Sequence, residues 1–190
     1  MLFFTADLHL NHKKIIEYCN RPFSSISEMN DVLISNWNQK IGTGDLVYIL
    51  GDFAFSRTRF FLEALNGLKV FIDGDHDKEI HDSVMPVLHK GYLHILDKDC
   101  FNNSDKERKY FVSEISSITL CHWCMRTWRQ SHYNSWHLYA HSHGHLPPIG
   151  KSWDVGVDAN NFAPLSLLEI IEIMKTRPDN PNLVKKERNQ

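Results

Sequence analysis

Residues 137–145 read HLYAHSHGH. An apolar stretch, Leu138-Tyr139-Ala140, runs straight into His141, His143 and His145. In extended backbone, residues two apart point to the same side. His141 and His143 can therefore present two imidazoles to one pocket while Ser142 faces away. Neutral imidazole is a common metal ligand, and spaced histidine pairs suit the borderline first-row divalent ions. For such a cluster alone, a polar surface turn is an equal alternative.

Other apolar runs end in the same kind of residue. LFFTA (2–6) stops at Asp7, with His9 beyond it. LVYIL (46–50) stops at Gly51-Asp52. KVFI (69–72) stops at Asp73-Gly74-Asp75-His76-Asp77, and SITLC (117–121) stops at His122. Taken singly, Asp7 and Asp52 read as helix caps. Taken together, these residues supply nitrogen and oxygen donors enough for two metal ions, with no thiolate in the set. The carboxyl ends of strands in α/β sheets are where sites assemble.

The elements that must position them follow from the same runs. Strands that are apolar throughout are covered on both faces. Helical patterns alternate with the first strands: HKKIIEYCN (12–20), MNDVLISNWNQKI (29–41) behind a Ser25/Glu28 capping-box spacing, and RTRFFLEALNG (57–67) with Gly67 as its cap. That order predicts α/β architecture with parallel pairing. The later half is strand-rich: YLHIL, KYFVS and SITLC continue as a mixed or second sheet, around a polar loop or hairpin tip at 97–109. Ser166 and Glu169 repeat the capping-box spacing before LLEIIEIMK. The expected organisation is one domain over 1–175 and a loose polar tail over 176–190.

Composition narrows the function classes. The chain has 190 residues, 42% of them hydrophobic and 23% charged, which describes a globular domain with a continuous core. A formal net charge of −2 gives no bulk electrostatic case for nucleic-acid binding. No apolar run approaches membrane-spanning length, and the first residues lack a signal-peptide pattern. A cytoplasmic protein with no membrane partner is expected. Of Cys19, Cys100, Cys121 and Cys124, two form a lone CHWC. A zinc ribbon needs a second such pair, so ordinary reduced thiols are expected.

Asp7-x-His9, Gly51-Asp52, Gly74-Asp75-His76-Asp77, His122 and Ala140-His141-Ser142-His143 resemble, in order, the five motifs of the calcineurin-like metallophosphoesterase superfamily. CNRPF, GDFAF and VGVDANNFAPLSL look most like its small bacterial and phage branch. The resemblance implies a four-layer αββα sandwich, two mixed sheets flanked by helices. It implies that Asp7, His9 and His143 hold one divalent ion, that Asp75, His122 and His141 hold another, and that Asp52 bridges them. Mn²⁺ is favoured for this carboxylate-rich set, with Fe, Zn²⁺ or Ni²⁺ compatible. The implied activity is phosphoester hydrolysis, phosphodiesters favoured, by in-line attack of a metal-bridging hydroxide. His76 matches the family's catalytic histidine, which protonates the leaving oxygen or stabilises charge on the phosphoryl group. Two positions depart from the pattern: Asp75 stands where asparagine is usual, and Ala140 where glycine is usual.

Other candidates are less specific. Arg21 and Arg126 carry guanidinium groups suited to phosphate oxygens, and His12 lies near the first motif. Asp77 reads as a cap of the following helix or as a group orienting a histidine. Trp123, Trp128 and Trp136 read first as core and second as stacking surfaces for a base. The expected partner is a phosphoester, nucleotides included. A nuclease of the same fold would require a basic, aromatic-interleaved groove. A metal-binding scaffold with reduced catalysis would follow if the extra charge of Asp75 disabled the site.

Overall fold

A computed structural model of the chain describes residues 1–78, 80, 88–89, 92–95, 115 and 117–181. It is a mixed α/β fold with two sheets and, among the described residues, four α-helices. The elements in chain order are β1 (Leu2–Thr5), α1 (Lys14–Tyr18), α2 (Ile26–Lys40), β2 (Leu46–Leu50), α3 (Thr58–Ala64) and β3 (Leu68–Ile72). Then come β4 (Leu88–His89), β5 (Tyr92–Ile95), β6 (Ser117–Cys121), β7 (Ser135–Tyr139), β8 (Ser152–Asp154), β9 (Leu165–Ser166) and α4 (Leu167–Lys175).

The first sheet runs β4-β3-β2-β1-β9 and the second β5-β6-β7-β8. β1, β2, β3 and β4 pair in parallel, and β9 lies antiparallel against β1. In the second sheet β6, β7 and β8 are parallel and β5 is antiparallel to β6. The apolar runs explain this layering. Alternate residues of β1 face opposite ways. Leu2 and Phe4 join Tyr48, Leu50 and Ile72 against Ile118, Leu120, Trp136 and Leu138 of the other sheet. Phe3, Val47, Ile49 and Phe71 instead meet Ile15, Met29, Leu33, Trp37 and Phe61 of the first three helices. Both faces of the first sheet are thus buried, as all-apolar strands require.

Helix termini follow local chemistry, with two differences from expectation. Ser25 caps α2 by accepting from the Glu28 N–H, but the Glu28 carboxylate turns back to the Ser24 N–H, not to its own cap. α3 ends at Ala64, so Gly67 (φ 86°) makes the turn into β3 instead of capping the helix. Ser166 and Glu169 form the full reciprocal box ahead of α4, a contribution of about 1 kcal/mol for such a cap. The start of the expected tail is tied down: Arg177 donates to the Gly150 and Pro148 carbonyls, and buried Asn180 donates to the Ser131 carbonyl. KYFVS, the 97–109 loop and residues 182–190 lie outside the described residues.

Candidate metal centre

The ends of β1 and β2 run on together past the strands. Asp7 N–H donates to the Gly51 carbonyl, His9 N–H to that of Asp52 and Leu10 N–H to that of Phe53. The two sheets meet here, where Val157 N–H donates to the Ala6 carbonyl, and the ends of β6 and β7 are tied by Ala140 N–H donating to the His122 carbonyl. The loops after β1, β2, β3, β6 and β7 therefore converge on one point. The β2 and β3 loops pass so close that a Cβ on Gly51 would sit 2.6 Å from the Gly74 Cα. Asp77 clamps them, its carboxylate accepting from the N–H groups of Asp52, Phe53 and Gly74 at 2.8–2.9 Å. The expected helix cap is thus a loop clamp.

Three donor groups result among the described residues, one of them Cys19, His143 and Asp158 alongside the two drawn from the motif residues. Asp7, His9 and His143 place one ligand atom each within 4.8 Å of one another, and Asp52, His122 and His141 do the same. Asp52 Oδ2 stands 3.4 Å from His9 Nε2 and 3.7 Å from His122 Nε2, between the clusters. Asp75 approaches the second cluster, with Oδ2 3.4 Å from His141 Nδ1. The backbone aims these side chains. Asp7, His9, Asp52, His141 and His143 all have φ between 47° and 65°, a left-handed conformation that costs roughly 1–2 kcal/mol for a residue with a Cβ. Strain of this kind persists where surrounding structure enforces it, and clusters at functional sites.

The histidine tautomers are directed from outside. His122 Nδ1 lies 2.6 Å from the Leu50 carbonyl, so it carries the proton and leaves Nε2 facing Asp52 and His141. His143 Nδ1 lies 2.6 Å from Asp158 Oδ2, which frees its Nε2 in the same way. Second-sphere carbonyl and carboxylate partners of this kind are the usual companions of metal-binding histidines.

The donors also fit a cation electrostatically. Asp7 Oδ1 and His9 Nε2 are buried with no hydrogen-bond partner among the described residues. Burial pushes the Asp7 carboxyl well above the usual carboxylate range, a rise that His143 opposes and Asp154 and Asp52 reinforce. Burial, followed by the repulsion of His143 and Arg21, pushes His9 down to about 2. A buried acceptor pair left unmatched is costly, and a divalent ion against these two atoms would satisfy both.

His76 is exposed beside the clusters. Its backbone N–H donates to Asp52 Oδ1 at 3.0 Å, and its ring lies 5.8 Å from that of His9 and 6.3 Å from that of His12. Together these rings border a groove of about 650 Å³ that also holds Lys14, Tyr18 and Phe55. His12 stacks on Phe55 at 4.4 Å with their planes 9° apart.

The expectations for the two arginines do not hold. Arg21 does not reach into the groove: its buried guanidinium makes two 2.7 Å bonds to Asp158 and donates to the Asp7 and Leu8 carbonyls. Arg126 is exposed and does not line the groove. Trp128 and Trp136 are core, whereas Trp123 is exposed edge-on to His122. The thiols of Cys19 and Cys124 are pushed up by burial to about 11.

Asp154 and Asp158 were not singled out in the sequence. Asp154 accepts from Ser142 Oγ and from the Gly144 and Gly156 N–H groups, and so shapes the His141–Gly144 turn. The sole sequence signal was their place in and beside VGVDANNF, a stretch with no assigned role.

No family profile matches the chain. It is 34% identical over 186 residues to the uncharacterized protein MJ1445 of Methanocaldococcus jannaschii, an overlap covering 92% of this chain and 91% of that protein. The chain belongs to the family of MJ1445. The family reading extends in part to Gene 66 proteins of Mycobacterium phages L5 and D29. These are 35% identical over 80 and 83 residues, about two fifths of each chain. A crystal structure of the protein of unknown function AQ665 from Aquifex aeolicus shares the fold. It has a TM-score of 0.63 and 22% identity, across 91% of this chain and 98% of that one. Among the described residues, no helix is long and apolar enough to cross a membrane.

Proposed function

We propose that this protein is a metal-dependent phosphoesterase of the calcineurin-like type, with phosphodiesters its favoured substrates. The observation that carries the reading is Asp52, set between two N/O donor clusters whose buried Asp7 Oδ1 and His9 Nε2 have no hydrogen-bond partner among the described residues. Asp7, His9 and His143 would hold one divalent ion, Asp75, His122 and His141 the other, with Asp52 shared and Mn²⁺ suited to the set. Two such ions supply Lewis acidity, charge neutralisation of the phosphate and an activated water. The four-layer αββα arrangement belongs to the same proposal, supported by helices against one face of the first sheet and the second sheet against the other.

The chain's own groups do the rest. His76, at the groove mouth and anchored to Asp52 through its N–H, delivers a proton to the leaving ester oxygen. Phe55 and Tyr18, 53% and 67% exposed, offer aromatic faces beside His12 for the organic part of the ester. A nucleotide would use them for stacking. Lys14 is the one lysine or arginine lining the described groove, which favours a small ester over a nucleic-acid strand.

The test is a turnover screen of protein saturated with Mn²⁺, and separately with Fe, Zn²⁺ or Ni²⁺. Its substrates are bis-p-nitrophenyl phosphate, p-nitrophenyl phosphate, 2′,3′- and 3′,5′-cyclic nucleotides, and single-stranded nucleic acid. Diester hydrolysis that Asp52→Ala abolishes, with loss of bound metal, is expected. Failure to hydrolyse any of them with metal bound favours the scaffold reading, for which Asp75 is the motive.

A further inference from the structure

We propose that Asp158, clamped by Arg21, is a positioning residue for the Asp7/His9/His143 ion, and that this pair makes that ion the firmly retained one of the two. The inference rests on the metal-centre reading and adds residues that the resemblance leaves without a role.

The contacts form a closed circuit. Asp158 accepts from His143 Nδ1 at 2.6 Å and from Arg21 Nε and Nη2 at 2.7 Å each. The same guanidinium reaches the other way, donating to the Asp7 carbonyl at 2.7 Å and the Leu8 carbonyl at 3.0 Å. Leu8 lies between Asp7 and His9. One buried cation therefore fixes all three donors: two through the backbone that carries them, the third through Asp158. The two partners lie 137 residues apart in sequence, so the contact joins CNRPF to VGVDANNF across the fold.

Energetics argue for this role. A buried ion pair is a poor source of stability, since desolvation offsets its attraction. A bidentate Arg–carboxylate fork does fix geometry. It also neutralises a guanidinium that would otherwise repel a divalent ion nearby. The need for fixing is plain from the left-handed backbone of Asp7, His9 and His143. The other cluster lacks such support on one side. Asp75 and His141 have side chains 47% and 52% exposed. Among the described residues, the His141 ring makes its polar contacts with Asp75 and His122, both metal-ligand candidates themselves.

The experiment is a calorimetric Mn²⁺ titration of the metal-free full chain, with circular dichroism and thermal melts to report folding. Wild type should bind two ions with separated affinities. Asp158→Asn should weaken the tighter one roughly 10–100-fold, the usual effect of losing such a partner, and move the weaker one by less than about 2-fold. Because Asp158→Asn leaves Arg21 unpaired, Arg21→Gln/Asp158→Asn is the companion variant, free of a lone buried charge, and should show the same selective loss. A third readout needs no substitution. In Co²⁺-loaded wild type, the His143 Nδ1–H should give a paramagnetically shifted, slowly exchanging proton resonance, which coordination through Nδ1 would eliminate. Equal weakening of both ions, unchanged affinities in a folded variant, or absence of that resonance overturns the proposal. Wild type that binds two ions but fails these tests overturns this inference alone, whereas wild type that binds none overturns the metal centre itself.

Discussion

On the proposed metal centre, Asp75→Asn should separate metal affinity from catalytic power. An amide keeps the size and the carbonyl oxygen of the carboxylate but removes one negative charge, 3.4 Å from His141 Nδ1. Unit charges about 4 Å apart interact by about 1 kcal/mol in water and about 4 kcal/mol at an effective dielectric of 20. Asp75 is half-exposed, so solvent screening places the effect near the lower figure. About 1–1.5 kcal/mol corresponds to a roughly 5–10-fold weaker ion at the His122/His141 position, readable by Mn²⁺ titration. The same charge change would leave the proposed ion a stronger Lewis acid and would remove repulsion toward an anionic phosphate. At saturating Mn²⁺, turnover of a phosphodiester near neutral pH should therefore rise. The basic-side activation in the pH–rate profile should move to lower pH by about one unit. Metal saturation of both proteins is essential, because weaker loading would imitate lower activity. A fully loaded Asp75→Asn protein that is slower, with an unmoved pH profile, refutes the reasoning and shows a site adapted to the carboxylate.

Replacing His76 by alanine should cut turnover by roughly 10²–10⁴ while metal content stays intact, and the loss should shrink for esters with a good leaving group. Equal losses for good and poor leaving groups would mean that His76 stabilises charge and is not the proton donor. Phe55→Ala should raise KM for esters with planar aromatic groups by roughly 5–100-fold, the range for one lost stacking contact. An equal rise for a purely aliphatic ester would show that no such contact exists. His137 accepts from the Met125 N–H and donates to the Thr119 carbonyl, and burial pushes it down from 6.5 to about 4. The unfolded chain binds the proton first, so this histidine's contribution to stability is full above pH 6.5 and falls as pH drops toward 4. The loss approaches about 3.5 kcal/mol at about 1.4 kcal/mol per unit. Urea unfolding of His137→Gln, which keeps both bonds without titrating, should lack that part of the acid sensitivity; identical pH dependence in both proteins would refute it.

How much of this was legible in sequence depended on whether the signal was local. Strands such as Leu46–Leu50 and Ser117–Cys121 matched their apolar runs residue for residue, because fully covered strands advertise themselves as unbroken hydrophobic stretches. Asp7, His9, Asp52, His122, His141 and His143 came together as their positions at strand ends suggested. What was missed depends on long-range pairing. Arg21 looks like any phosphate-gripping arginine until Asp158 is placed beside it, and nothing within either segment announces the other. Asp77 resembles a helix cap because its three N–H partners belong to loops that only the folded sheet brings near. The short β8 and β9 were also missed, being too brief for a periodic pattern to register.

The left-handed backbone at Asp7, His9, Asp52, His141 and His143 bears on how this protein changes over generations. At those positions glycine or asparagine would relax the backbone, so on the proposed metal centre the substitutions that remove ligands would also relieve strain. A lineage that needs the chemistry must keep rejecting mutations that its folding would reward. A lineage that has lost the need has nothing to resist them, and its ligand positions should drift toward glycine and asparagine sooner than its core drifts at all. Sequencing family members from genomes that no longer use the activity would therefore read the function from the pattern of its decay.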